Sequence, residues 1–148
     1  MMRKTVTLTL MFLAVIAGPA WSETGSIGKD RVNVRSGPGH KYKVMFQAPL
    51  GYPVEIISQN KGWLKIRDWH GNTGWVDESL VSKTQTAVVL EDRVNVRQAP
   101  GIGNDVLCQV EKGDIYKVLA EKANWVQIGY YYEGDVVGWI REDLVFGN

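Results

Sequence analysis

The sequence is poor in cysteine, net charge and long apolar runs. A single cysteine, Cys108, excludes an intramolecular disulfide and a four-thiolate zinc site. The 148 residues hold 17 basic and 16 acidic side chains, a formal charge of +1, so the whole chain offers no broad basic field for nucleic acid. No glycine-rich, phosphate-cradling motif occurs. No stretch beyond residue 22 shows a long apolar period of 3.6 residues, which excludes a helical bundle. What is present, 45% hydrophobic and 22% charged, is close to the globular average and argues against a disordered or collagen-like chain.

The first 22 residues read as an export signal. Arg3 and Lys4 give a positive start, and Leu8 to Ile16 is an apolar run broken by Thr9. Gly18 and Pro19 follow, and Ala20-Trp21-Ser22 puts small residues where a signal peptidase reads, before Glu23. The run is short for a bilayer span of about 20 residues; the alternative is an uncleaved anchor. Cleavage removes two basic and no acidic residues, so the mature charge is −1. The expected location is the periplasm or outside the cell, with no further membrane span and no ATP or nicotinamide cofactor.

The remainder is one unit written twice. Arg31-Val32-Asn33-Val34-Arg35 recurs as Arg93-Val94-Asn95-Val96-Arg97, an offset of 62. At that offset Pro38-Gly39, Val44, Gln47, Gly51, Trp63 and Ile66 also recur. A two-residue insertion then moves the offset to 64, where Gly74-Trp75 answers Gly138-Trp139 and Leu80-Val81 answers Leu144-Val145. This order predicts two domains, 23–84 and 85–148, joined by a short polar connection.

Each unit reads as a small β-barrel, so the fold class is all-β. The valines of Val32-Asn33-Val34 alternate with polar residues, the period of a half-buried strand. Ser36-Gly37-Pro38-Gly39 is a turn; Ala99 replaces Gly37 in the second copy, so glycine is expected to matter at Gly39 and Gly101 instead. Val54 to Ile57, Leu64 to Ile66 and Gly74 to Val76 are further strands, with a hairpin at His70-Gly71-Asn72. Units of about 60 residues are marginal alone, and packing together would help them.

The motifs Val32 to Gly39 (VNVRSGPG), Gly51-Tyr52-Pro53-Val54, Gly62 to Ile66 (GWLKI) and Gly74-Trp75-Val76 resemble the bacterial SH3-like (SH3b) family. The second copy is a looser match, with Val94 to Gly101 (VNVRQAPG), Trp125 to Ile128 and Gly138-Trp139-Ile140. The resemblance covers nearly all of the mature chain. It implies tandem five-stranded, partly open barrels that bind rather than catalyse, with peptidoglycan or a cell-wall peptide as the expected partner. The alternative is a periplasmic scaffold that docks another protein or another copy. No metal and no cofactor are implied, and the oligomeric state is open.

Cys108 with His40 or His70 suggests a thiol hydrolase only weakly. Neither histidine recurs, and Cys108 aligns with Phe46, so a packed, inert thiol is expected. Aromatics are the better clue. Side chains alternate along a strand, so with Leu64 and Ile66 inward, Trp63 faces out, as do Trp75, Trp125 and Trp139 by the same rule. Trp69 and Tyr130-Tyr131-Tyr132 fall in the last hairpin of each copy, and Tyr42 on the loop after the first turn. Loops carry binding, and exposed rings stack on sugars or peptides. Arg35 and Arg97 are carboxylate-clamp candidates, or else loop anchors. These eleven residues form the expected ligand-binding set; the alternative for the tryptophans is packing under the loops or between the two barrels. Charge separates the copies: residues 23–84 carry +3 and residues 85–148 carry −4, which makes the first unit the expected contact for an anionic polymer.

Overall fold

The computed structural model describes residues 23–148; the expected export segment lies outside the described residues. These residues form two antiparallel sheets of seven strands. The first contains β1 (Glu23–Ile27), β2 (Val32–Arg35), β3 (Val44–Ala48), β4 (Pro53–Asn60), β5 (Trp63–Arg67), β6 (Thr73–Asp77) and β7 (Val81–Ser82). The second contains β8 (Thr86–Val89), β9 (Val94–Arg97), β10 (Val106–Val110), β11 (Ile115–Lys122), β12 (Trp125–Gly129), β13 (Val136–Arg141) and β14 (Val145–Phe146). The spatial orders are β3-β2-β6-β5-β4-β1-β7 and β10-β9-β13-β12-β11-β8-β14, the same topology twice. A single 3-10 turn, Glu78–Leu80 or Glu142–Leu144, precedes each last strand. The described residues are therefore all-β, and among them no helix is long and apolar enough to cross a membrane.

Seven strands stand where the resemblance implied five. The extra ones carry little pattern of their own. Glu23-Thr24-Gly25-Ser26-Ile27 has one large apolar residue, and β7 has two residues in all. Their pairing (Gly25 with Val54, Ile27 with Val81) is decided by tertiary contact, which outweighs local propensity in strands.

Alternation builds both cores. Val32, Val34, Leu64, Ile66 and Val76 are buried beside Ile27, Ala48 and Val54. Val94, Val96, Val126, Ile128 and Ile140 do the same beside Ala87, Val89, Val110 and Val145. Outward neighbours pair across the sheet, as where Gln47 Nε2 donates to Asn33 Oδ1 at 3.0 Å and Gln109 Nε2 to Asn95 Oδ1 at 2.9 Å. The Gly-Trp pair of β6 and β13 has a steric cause. A Cβ on Gly74 would meet Val34 Cγ1 and the Arg35 carbonyl, and one on Gly138 would meet Val96 and the Arg97 carbonyl. Only glycine lets these strands close on β2 and β9.

The turn after β2 shows two matched substitutions. The Tyr42 ring occupies the space that a Cβ on Gly37 would need. The second copy has Asn104 in place of Tyr42, and there Ala99 fits. The expected need for glycine is met at Gly101, whose φ is 132°, but Gly39 has no left-handed φ.

The barrels pack directly on each other. Thr86 is fully buried, and its Oγ1 donates to the Gly51 carbonyl at 2.6 Å. Gly51, itself at φ 79°, lies under the Tyr131 ring and beside Ile115, with no room for a side chain. Gly147 sits tighter still, where a Cβ would overlap Pro53 and the Thr86 carbonyl. Ser26 Oγ donates to the Thr84 carbonyl at 2.7 Å, tying β1 to the connection. Burying two hydroxyls is tolerable because each completes a hydrogen bond.

Candidate functional site

The same groove recurs in both barrels. In the first, Arg31, Arg35, His40, Trp63, Asp77 and Leu80 line a hollow of about 240 Å³. In the second, Arg93, Arg97, Ile102, Trp125, Arg141 and Leu144 line one of about 400 Å³. The linings correspond residue for residue at the offsets of the repeat. Each sits between the loop entering β2 or β9, the start of β5 or β12, and the 3-10 turn. The indole of Trp63 or Trp125 forms the wall because its inward neighbour, Leu64 or Val126, is fixed in the core.

Three differences change the groove. His40 packs edge-on against Trp63, with ring centroids 5.1 Å apart; Ile102 stands in its place and is 69% exposed. Asp77 is replaced by Arg141, and Lys29 by Glu91. Asp77 Oδ1 accepts from the Ser79 hydroxyl (2.7 Å) and backbone N–H (2.9 Å), and these bonds hold its carboxyl below the usual range, with a smaller contribution from His40. Arg141 makes two bonds to Asp143, at 2.6 and 3.0 Å. A second hollow of about 790 Å³ adjoins Trp125, sharing Ile102 and Arg141 and continuing over Ala123 and Asn124.

The expected site residues fall into four places. Trp63 and Trp125 wall the grooves. Trp75 and Trp139 lie half-buried on the outer face, paired across strands with Arg35 and Lys65, and with Arg97 and Gln127. Arg35 and Arg97 border the grooves but act as loop anchors. Arg35 Nη1 donates to the carbonyls of His40 (3.0 Å) and Tyr42 (2.9 Å), and Arg97 Nη1 to that of Asn104 (2.8 Å). Tyr42, 38% exposed, covers Gly37.

The hairpin residues diverge. Tyr130 and Tyr132 are 53% and 78% exposed, whereas Tyr131 lies in the seam between the barrels with Lys117 Nζ 5.1 Å from its ring centroid. Trp69 stacks on His70 at 3.8 Å, and its buried indole N–H faces the Tyr52 hydroxyl without completing a hydrogen bond. Beside it Asp68, only 2% exposed, accepts from the His70 and Asn72 backbone at 3.0 and 2.8 Å and from the Tyr52 hydroxyl at 3.1 Å. Burial first, and Asp68 second, push the Tyr52 hydroxyl far above its ordinary value. Tyr116, half-buried beside Asp114, is pushed up to about 12, by that burial first and by Asp114 second.

Cys108 is exposed, which corrects the expected packed thiol. It occupies the register position of Phe46 on the edge strand (Val34 with Phe46, Val96 with Cys108). A phenyl ring reaches from that edge back over the core to Tyr52, 6.4 Å between centroids, whereas a thiol stops short. Both histidines sit in the first barrel, on Trp63 and Trp69, while Cys108 is on β10 of the second.

His40, Ile102, Asp77 and Arg141 were not singled out as binding residues from the sequence. The available signal was difference between the copies at groove positions; matching the repeat by identity passes over it.

Two all-β units of one topology, each with an aromatic-walled groove, define a tandem small-barrel protein. Comparison with known proteins gives the family. The model for the bacterial SH3 domain matches residues 30–82 and 92–145, and the chain belongs to that family. A putative N-acetylmuramoyl-L-alanine amidase, YrvJ of Bacillus subtilis strain 168, is 25% identical over 130 residues. That match takes in 80% of this chain and 24% of the relative, so the chain spans about a quarter of that protein's length. Among solved structures, NlpC2 from Trichomonas vaginalis is 16% identical with a TM-score of 0.38, covering 84% of this chain and 47% of that one. The endolysin LysPBC5 CBD is 15% identical with a TM-score of 0.33, covering 88% and 96%.

Proposed function

We propose that this protein is an exported, non-catalytic binding protein that holds peptidoglycan or a wall-associated peptide in its grooves. The observation that carries the reading is the groove itself, built twice from the same framework around Trp63 and Trp125. A half-buried indole on a groove wall suits a sugar ring or a peptide backbone. The name of the B. subtilis relative, an amidase acting on N-acetylmuramoyl-L-alanine, supports a wall setting for domains of this sequence. The test is co-sedimentation of the purified protein with sacculi at low and high salt. Sedimentation that is lost in the Trp63→Ala/Trp125→Ala double variant supports the reading. No sedimentation at low salt refutes it.

The scaffold alternative has its own support. The edge strands β3 and β10 expose Val44, Met45, Val106 and Leu107, with Cys108 beside them. An unpaired apolar edge is a template for another chain. A stable complex after cross-linking in cells, with no affinity for sacculi, would establish that reading instead.

A further inference from the structure

We infer that the two grooves are not two copies of one site: the second barrel's groove, around Trp125 and Ile102, receives the ligand, and the first is filled by its own His40. In the first barrel the imidazole packs on Trp63, taking the place a ligand ring or backbone would occupy. In the second, Ile102, 69% exposed, stands at that position beside Trp125 and has no ring to pack on the indole. The hollows on both sides of Trp125 share Ile102, Trp125 and Arg141, so the surface open to a ligand is a continuous trough. The hollow at this place in the first barrel is smaller, about 240 Å³.

The trough's charges indicate the occupant. Arg93, Arg97 and Arg141 line it together with Glu91, Asp92, Glu142 and Asp143, and Arg141 is already paired with Asp143. A polyanion meets the carboxylates, and a polycation meets the guanidiniums. A short peptide with free carboxylates and a free amine satisfies both. Its apolar portion lies over Trp125 and Ile102, and its carboxylate faces Arg93, while Arg97 holds the loop beside it. This reverses the expectation from net charge, which favoured the first barrel. It rests on the wall-binding reading only for where such a peptide is met.

The test is an NMR titration of the nitrogen-15-labelled protein with the tripeptide Ala-Glu-Lys, free at both termini. The indole N–H signals are assigned with Trp63→Phe and Trp125→Phe. The expected result is a saturable shift of the Trp125 signal with Trp63 unmoved. Ile102→His should weaken the response about fivefold, and His40→Ile should make Trp63 respond. The same spectra show whether each variant is folded. A Trp63 response as tight as that of Trp125, or no Trp125 response at millimolar peptide, overturns the inference. Sacculus sedimentation run in parallel separates the two readings. A Trp125 response without sedimentation leaves the trough assignment standing and removes the wall.

Discussion

The two barrels share a core and a topology, yet they spend their polar side chains differently. The first stitches its last hairpin with a buried carboxylate, Asp68, which takes four hydrogen bonds, and it closes its groove with His40. The second has Tyr130 at the position of Asp68, leaves that hairpin's aromatics exposed or in the seam, and has Ile102 in place of His40. Repeated residues therefore mark the framework, and the replaced ones mark what each barrel has become. The last hairpins, of which the second carries the insertion, show the same division, since one organises itself and the other reaches to its neighbour.

The largest effect that would sharpen this contrast is at Asp68. Asp68→Ala strands the Tyr52 hydroxyl and two backbone N–H groups, and should cost about 3 kcal/mol. Tyr130→Ala, at the equivalent exposed place, should cost about 0.5 kcal/mol. Urea midpoints followed by tryptophan fluorescence measure both, and equal losses would break the contrast. Next is the turn. Gly37→Ala should cost about 2 kcal/mol by forcing the Tyr42 ring aside. Adding Tyr42→Asn, which reproduces the second copy, should recover most of that loss in a double-mutant cycle.

At the seam, Thr86→Val removes the donor to the Gly51 carbonyl and should cost about 1 kcal/mol. It should also split one calorimetric transition into two if the seam couples the barrels. A further effect is in alkali. Unfolded tyrosine ionises near 10, whereas Tyr116 is held up to about 12 and Tyr52 higher still. The folded chain thus binds these protons more tightly. Stability is full below pH 10 and falls as pH rises through those values. Tyr116→Phe should abolish the part of the fall that ends near pH 12, and Tyr52→Phe the part that continues beyond it.

Much of the fold was legible because it rests on local pattern. Alternation in Val32-Asn33-Val34 and Leu64-Lys65-Ile66, read twice, fixes the inner face and places Trp63 and Trp125 outward. What was not legible depends on neighbours far away in sequence. β1 exists because β4 and β7 flank it. Tyr131 reaches the seam over Gly51, and two carbonyls decide between the clamp and loop-anchor readings of Arg35. Cys108 is exposed because an edge position covered by a long ring in one copy is not covered by a short thiol in the other. The groove needed both kinds of information, since its wall follows from periodicity and its opening from the exchange of His40 for Ile102.

The most direct measurement is quantitative co-sedimentation with sacculi at low salt for Trp63→Ala and Trp125→Ala, each compared with the unaltered protein. The account predicts that Trp125→Ala lowers affinity about tenfold while Trp63→Ala changes it by less than about twofold. Equal losses, or a greater loss at Trp63, would contradict it.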